Sequence, residues 1–174
     1  MDYQITDFKP IYNKESNVLI LGSHPSVKSK EVGFYYGNPR NRFWLVLGEI
    51  LNEDFVNASS VKKEMLLLKH NIALSDVVYA CYIEGSSDAS INSVTPNEAI
   101  KTIINSCNIT SVILNGKTAY NFFIKYFKEY EKMAICLPST SPANAAKSTK
   151  DLIHEWSILN ELVWFLVVFV INWF

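Results

Sequence analysis

The chain has 174 residues, of which 49% are hydrophobic and 13% aromatic, and its formal net charge is -1. This size and composition predict a single domain spanning residues 1–174, which buries a core without disulfides or metals. The near-neutral charge excludes a protein that binds nucleic acid through overall positive charge, so any such contact must use a local basic patch.

The N-terminus and the cysteines indicate the compartment. Residues 1–10 lack the basic start and apolar run of a secretory signal, which favours the cytoplasm, or the nucleoid in a prokaryote. Cys81, Cys107 and Cys136 form no CxxC pair and no Cys/His metal spacing. We therefore expect a reduced protein without a metal, an iron–sulfur cluster or another cofactor.

The first half of the chain alternates short apolar runs with amphipathic segments. The apolar run 17–22 predicts a strand buried on both faces, and residues 23–41, rich in Ser, Gly and Pro, predict one long loop. Apolar residues at helical spacing predict helices over 42–51 and around 63–69. A second buried strand is predicted over 72–78.

The second half continues this alternation after a predicted loop over 79–94. Thr95 before Pro96, with Glu98 three residues on, predicts a helix start. The remaining predicted elements are a strand over 111–114, an aromatic-striped helix over 117–130, a strand over 134–137 and a last helix opened by Ser148 and Asp151.

Strands that alternate with helices at this spacing predict an α/β fold, namely a three-layer α/β/α sandwich around a central, mainly parallel four-stranded sheet. Ligands bind such sheets beyond the carboxyl ends of the strands. The loops that start at Ser23, Tyr79, Asn115 and Pro138 should therefore meet at one edge of the sheet, where their polar side chains become candidate site residues.

The C-terminal run 162–174 is almost entirely apolar. It is shorter than the roughly 20 residues that a membrane-spanning helix needs. A last buried strand or helix end is the favoured interpretation. A surface for self-association or for another partner, and a membrane-associated tail, remain as alternatives.

Two of the predicted loops carry the residues of a known family. The first is GSHPSVKSKEVGFYYGNPRNRFW, from Gly22 to Trp44, and the second is LPSTSPANA, from Leu137 to Ala145. Together they resemble the first motif and the DNA-contacting loop of the uracil-DNA glycosylase superfamily, and most closely those of its hypoxanthine-DNA glycosylase branch. The resemblance covers about residues 17–159.

The resemblance implies a DNA glycosylase that flips a deaminated base, hypoxanthine first, and hydrolyses its N-glycosidic bond to start base excision repair. Such an enzyme stacks the flipped base, recognises its Watson–Crick edge, stabilises charge on the leaving base and directs water at the sugar. This chemistry requires no covalent nucleophile and no cofactor. The implied partner is DNA containing a deaminated base, bound by a protein that is a monomer.

Asn41 is the first candidate for the catalytic or base-recognising residue, because an amide offers an acceptor for a ring N–H and a donor for the adjacent carbonyl. Capping of the helix that follows is its alternative role. Where many relatives place Asp or Asn to direct water, this chain has His24. Its imidazole is a candidate for holding water or for donating to DNA, and a structural histidine is the alternative.

Candidates for binding the base lie in the same loops and at a strand end. Tyr36 matches the aromatic that stacks on the flipped base in relatives, and Asp76 falls where relatives use an amide to contact it. A hydrogen bond that orients a loop is the alternative for Asp76. The resemblance also places Ser23 and Phe34 beside the base. Asn115 is expected to serve a turn rather than the substrate.

The second loop is expected to contact DNA. Its small side chains let the backbone approach phosphate and fill the gap left by a flipped base, whereas a turn before a helix is the alternative. Basic side chains beside both loops are expected to supply the local positive field, with Lys28, Lys30 and Arg42 as further cations. The DNA-binding candidates are Ser139, Ser141, Pro142, Ala143, Asn144, Arg40 and Lys147.

Three alternative functions stay open at this point. One is the same reaction on uracil or a mismatched base. Another is an inactive relative that binds damaged DNA, for which His24 in place of Asp or Asn leaves room. The last is a nucleoside hydrolase or nucleotide-binding protein, which the lack of a GxxxxGKS/T or GxGxxG phosphate loop disfavours.

Overall fold

The computed structural model describes residues 2–85 and 87–163, and within them it contains two sheets. The strands are β1 (Asp2–Ile5), β2 (Val18–Gly22), β3 (Ile72–Asp76), β4 (Val78–Ile83), β5 (Asn92–Pro96), β6 (Ser111–Asn115) and β7 (Ala134–Leu137). The helices are α1 (Val27–Val32), α2 (Phe43–Leu51), α3 (Ser60–Lys69), α4 (Ala99–Ser106), α5 (Lys117–Tyr126) and α6 (Thr149–Trp156). Short 3₁₀ segments lie at Asp88–Ser90 and Lys128–Met133.

The central sheet has four parallel strands in the order β3–β2–β6–β7. Every residue of β2, β3 and β6 is buried. Strands that are covered on both faces need apolar residues throughout, which is why these segments could be predicted from their continuous apolar sequence.

Helices cover both faces of this sheet. Successive residues of a strand point to opposite faces, so β2 contributes to two hydrophobic clusters. Val18 and Ile20 pack with residues of α2, α3 and α6, whereas Leu19 and Leu21 pack with residues of α4 and α5. The predicted α/β/α architecture is confirmed.

The second sheet was not predicted. Strands β1, β4 and β5 pair antiparallel in the order β1–β4–β5. The predicted loop over 79–94 is therefore wrong, because this segment holds most of β4, the 3₁₀ segment Asp88–Ser90 and the start of β5. The predicted strand 72–78 ends at Asp76, and the chain changes sheet at Val77.

The sequence of β4 conceals its strand character. Its solvent-facing residues are Tyr79 and Tyr82. Because tyrosine is largely apolar, these exposed positions do not stand out in the sequence from the buried positions around them. Ala80 and Cys81 are both buried although they are neighbours, so the alternation that marks a half-buried strand is broken.

Helix boundaries follow the capping side chains. The predicted start of the last helix is confirmed, since Ser148 and Asp151 form a capping box at α6. The predicted start at Thr95 is wrong, because that residue belongs to β5. The side chain that bonds to the first turn of α4 is instead that of Asn97, whose Oδ1 accepts from the Ala99 N–H at 3.2 Å.

Two further segments differ from their prediction. The predicted loop 23–41 contains the short helix α1, which the Ser26 side chain caps and which Gly33 ends with φ 74°. Glycine adopts this left-handed conformation without a steric penalty. The predicted helix 117–130 ends at Tyr126, and a 3₁₀ segment follows it.

Of the apolar run 162–174, the structure describes Leu162, which is partly buried, and Val163, which is 5% exposed and packs in the core. Residues 164–174 lie outside the described residues, so the expectations for the tail stay predictions. Among the helices that are described, none combines the length and the apolar character that crossing a membrane demands.

Candidate active site

A cavity of about 420 Å³ opens at the carboxyl ends of β2, β3 and β6. This volume lies within the roughly 300–1,000 Å³ range of small-molecule sites. The walls come from the first loop, the second loop, the strand ends and the connection between β4 and β5. The edge of the sheet at which the sequence predicted a site therefore carries a cavity.

Most of the predicted site residues line this cavity, although they come from distant parts of the chain. They share a position in a loop or at a strand end that faces the same opening. They are Ser23, His24, Tyr36, Asn41, Asp76, Ser139, Ser141, Ala143 and Asn144.

The other predicted site residues do not line the cavity. Phe34 is partly buried and packs against the hydrophobic core, which suits an anchor for the loop. Pro142 and Arg40 are exposed. The Lys147 ammonium pairs with Glu155 at 2.6 Å, so contact with a phosphate would require this pair to open.

Asn41 lies at the N-terminus of α2, and two hydrogen bonds orient its amide. Its Oδ1 accepts from the Phe43 N–H at 3.0 Å and from the Thr140 hydroxyl at 2.8 Å. A backbone N–H can only donate, so the atom that faces Phe43 is the oxygen. The Nδ2 makes no hydrogen bond with the described residues and can donate to a ligand. Capping of the helix and donation into the cavity are therefore compatible, but the oxygen is already used.

Thr140 connects Asn41 to the end of β6. It is fully buried, and its N–H donates to Asn115 Oδ1 at 2.9 Å while its hydroxyl accepts from Asn115 Nδ2 at 2.9 Å. Both amide atoms of Asn115 are thus engaged with the second loop, instead of the turn that was expected. Nothing in the sequence distinguishes Thr140 from its serine neighbours, and it was not predicted.

Arg42 holds the two loops together. Its Nη2 donates to the carbonyls of Ser141 at 2.8 Å and Asn144 at 2.9 Å, and its Nη1 donates to the carbonyl of Lys147. The planar fork of a guanidinium suits several acceptors at once. Arg42 was expected to add to a positive field facing DNA, but its donors are directed at the second loop.

Tyr36 lines the cavity, and its ring stacks on Phe43 with centroids 3.8 Å apart and planes inclined by 21°. The residue has φ 51°, which is rare for a side chain other than glycine and concentrates at functional sites. Its hydroxyl is buried and has no hydrogen-bond partner among the described residues. Burial raises the pKa of Tyr36, so the phenol is neutral and can donate.

Asp76 ends β3 and is 5% exposed. Its Oδ2 is buried and has no hydrogen-bond partner among the described residues. Burial raises the pKa of Asp76 to about 7, the nearby Asp88 raises it further and Lys30 opposes the rise. A buried carboxyl group with an unused oxygen and a perturbed pKa is a candidate for contact with substrate.

Gly22 allows Asp76 and Tyr36 to approach the end of β2. A Cβ atom at this position would clash with Asp76 Oδ1 and lie 3.1 Å from the Tyr36 hydroxyl. Because Gly22 has no side chain, the Asp76 carboxyl group and the Tyr36 hydroxyl can both lie against it in one wall of the cavity.

His24 is neutral, and both of its ring nitrogens are engaged. Nδ1 lies 3.2 Å from the Val78 carbonyl, so it carries the proton, and Nε2 accepts from Lys30 Nζ at 3.0 Å. Burial lowers the pKa of His24 to about 4, and Lys30 lowers it further against the bond to Val78. Lys30 also donates to Gln4 at 2.8 Å, which ties β1 to this loop. Holding water through His24 would require Lys30 to move.

Asp88 is a cavity residue that the sequence did not reveal. It opens the 3₁₀ segment after β4, and its Oδ1 accepts from the Ser23 hydroxyl at 2.8 Å. Much of the residue is open to solvent, yet desolvation of the carboxyl group raises its pKa, while the bond from Ser23 opposes the rise. The only signal was a carboxylate in the polar segment that had been predicted to be a loop at this edge.

The chain is similar to known proteins over most of its length. The family model of the uracil DNA glycosylase superfamily matches residues 9–163. A hypoxanthine DNA glycosylase from Methanosarcina acetivorans is 33% identical over 154 residues, covering 86% of this chain and 93% of the relative. A hypoxanthine DNA glycosylase from Methanosarcina barkeri is 34% identical over 145 residues, covering 83% and 92%.

A solved structure is similar as well. The solution NMR structure of a candidate uracil DNA glycosylase from Methanosarcina acetivorans superposes with a TM-score of 0.72 at 30% identity, covering 89% of this chain and 96% of that chain. The matched family model includes both loops and every strand of the central sheet. The chain therefore belongs to the uracil DNA glycosylase superfamily.

Proposed function

We propose that this protein is a monofunctional DNA glycosylase that flips a deaminated base, hypoxanthine first, into the cavity and hydrolyses its N-glycosidic bond. The observation that carries the proposal is that one cavity is lined by an amide donor, a carboxyl group with a buried oxygen without a partner, and an aromatic ring. Relatives named hypoxanthine DNA glycosylase, similar over most of the chain, support this choice of base.

The two polar groups match the edge of hypoxanthine. Hypoxanthine presents a ring N1–H donor beside the O6 acceptor, whereas adenine presents a bare N1 beside an amino group. Asn41 Nδ2 can donate to O6, and Asp76 Oδ2 can accept from N1–H. Since Asn41 Oδ1 already accepts two hydrogen bonds, recognition of N1–H falls to Asp76.

The same contacts serve the chemical step. As the bond from C1′ breaks, the base leaves with the bonding electrons, and part of the negative charge develops on O6. A hydrogen bond donated to O6 is stronger when O6 carries this negative charge than when it is a neutral carbonyl oxygen. Donation from Asn41 therefore lowers the activation barrier for breaking the glycosidic bond. Tyr36 stacks on the base from the side opposite Phe43.

DNA would bind across the mouth of the cavity. Pro142 and Ala143 are exposed at the tip of the second loop, where they can fill the space left by the flipped base. Arg40 is exposed in the first loop, so it can contact phosphate. We propose that the protein acts as a monomer without metal or other cofactor, in the cytoplasm.

The experiment is an incubation of excess enzyme with duplexes that carry a single hypoxanthine, uracil, xanthine or undamaged adenine. Alkali then cleaves the strand wherever a base has been released. We expect release of hypoxanthine above all and no release of adenine, because adenine lacks both the N1 hydrogen and the O6 acceptor.

Each other outcome assigns a different function. Preferred release of uracil would make the chain a uracil-directed enzyme, since uracil offers the same N–H and carbonyl pair. Binding to every duplex without release would make it an inactive damage-binding relative. Hydrolysis of free inosine with no release from DNA would make it a nucleoside hydrolase and would overturn the proposal.

A further inference from the structure

Hydrolysis of the glycosidic bond requires a water molecule directed at C1′ of the sugar. The base enters the cavity while the sugar stays joined to the strand outside, so this water must be held near the mouth. Holding it calls for an acceptor with an unused lone pair. The acceptors near the first loop are therefore the groups to compare.

Two of these acceptors are already used. His24 donates from one ring nitrogen to Val78 and accepts at the other from Lys30. Asn41 Oδ1 accepts from Phe43 and from Thr140. Neither group can receive a hydrogen from water without losing a bond that shapes the loop.

A general base for water calls for a carboxylate, and the cavity holds two carboxyl groups at different depths. Asp76 is 5% exposed, and its Oδ2, which we propose recognises the base, is buried. Asp88 is exposed at the rim, where Ser87 and Ala89 also line the cavity. Because the sugar stays at the rim, Asp88 is the carboxylate that can reach the water.

Asp88 is held in place from two sides. Its Oδ1 accepts from Ser23, the residue directly after β2, while its Oδ2 makes no hydrogen bond with the described residues. The segment is braced by Ser90, whose hydroxyl donates to the Ser87 carbonyl at 2.8 Å and accepts from the Glu84 N–H at 2.8 Å. One oxygen is thus anchored, and the other keeps its lone pairs for a ligand or water.

We propose that Asp88 is a catalytic residue that orients and deprotonates the attacking water, an inference that rests on the proposed glycosylase function. The water oxygen forms a bond to C1′ as the bond between C1′ and the base nitrogen breaks. The bonding pair leaves with the base, and one water proton passes to Asp88 Oδ2. The base anion takes up a proton from solvent, and Asp88 then returns its proton to solvent. The products are a free base and an abasic deoxyribose.

The test is the single-turnover rate of hypoxanthine release by Asp88→Asn and Asp88→Ala. We expect each variant to lower the rate constant by roughly 10² or more, the range of general-base catalysis. The affinity for a duplex containing uncleavable 2′-fluoro-deoxyinosine should stay within about twofold, since an interaction made only in the transition state is lost. Glu84→Gln changes a carboxylate on the same connection outside the cavity and should leave rate and affinity unchanged.

Chemical rescue separates a catalytic from a structural role. Added formate should restore part of the rate of Asp88→Ala, because it places a carboxylate in the space left by the side chain, and should not accelerate the wild type. The thermal midpoint of each variant shows whether it is folded.

Two results would overturn the proposal. One is a rate in folded Asp88→Asn within about threefold of the wild type, well below the contribution expected of a general base. The other is a parallel loss of rate and DNA affinity without rescue by formate, which would make Asp88 a support for Ser23. In both cases the wild-type enzyme would still release hypoxanthine. Failure of the wild type on every duplex would instead refute the proposed function.

Discussion

Replacing Asp76 by Asn should make the protein more stable at alkaline pH, although it removes a residue that we place in the active site. The side chain is 5% exposed, and the free protein makes no hydrogen bond to its Oδ2 from any described residue. Ionisation of such a group is costly because no partner replaces the lost water. Asparagine has the same shape and cannot ionise.

The size of the effect follows from the pKa of Asp76, which burial raises from 3.8 to about 7. At about 1.36 kcal/mol per pH unit, this difference corresponds to roughly 4 kcal/mol as an upper limit. A carboxyl group with a raised folded-state pKa contributes stability that is fully present below 3.8 and is lost as the pH rises through about 7. The wild type therefore loses stability between pH 4 and 8.5 in a way that the variant does not.

The measurement is the free energy of unfolding in urea at pH 4 and pH 8.5 for both proteins. His24, whose pKa is lowered to about 4, adds a change of opposite sign in the acid range. Both proteins contain it, so it cancels when the difference between them is compared at the two pH values. From pH 4 to pH 8.5, the free energy of unfolding of Asp76→Asn should rise by roughly 2–4 kcal/mol relative to that of the wild type. Equal pH dependence in the two proteins would refute a buried, unpartnered carboxyl group.

Three further substitutions test the rest of the site. Asn41→Ala should lower the single-turnover rate of hypoxanthine release by roughly 10²–10³ with DNA affinity nearly intact; exposed Asn121→Ala on α5 is the control, and equal rates in the two variants would remove Asn41 from the reaction. Gly22→Ala should destabilise the fold by roughly 1–3 kcal/mol in urea, since its methyl group meets Asp76; unchanged stability would contradict the tight wall. Arg42→Lys should lower the free energy of unfolding by roughly 1–3 kcal/mol and slow the release of hypoxanthine, because one ammonium group cannot bond to all three carbonyls in and just after the second loop. An unchanged rate would show that the loop is held by other contacts.

The central sheet could be predicted because burial on both faces imposes a continuous apolar sequence. The run 18–22 and the run 111–115 both have this character, and each is followed by a polar loop. The rule that parallel strands place their carboxyl ends together then located the cavity without any knowledge of contacts. The second sheet lacks such a signal, since β1 and β5 are mostly exposed and their residues do not alternate.

The state of the site residues could not be predicted, because their partners are remote in the chain. His24 bonds to Val78, 54 residues away, and Arg42 bonds to Ser141, 99 residues away. Sequence supplied the residue types and the loops in which they lie. Whether an imidazole nitrogen or a guanidinium is available to a ligand depends on which acceptors the fold places beside it.

The two carboxyl groups of the cavity differ in depth, and this difference separates their contributions to the pH dependence of the reaction. Asp76 accepts N1–H more strongly when it is ionised, and Asp88 must be ionised to accept a proton from water. The group that loses its proton at the higher pH sets the acid side of the rate profile, and burial raises the pKa of Asp76 to about 7. Wild-type release should therefore rise as the pH passes through about 7. In Asp76→Asn that rise should move away from pH 7, because ionisation of Asp88 then governs the slower rate that remains; an unmoved rise would assign it to a group other than Asp76.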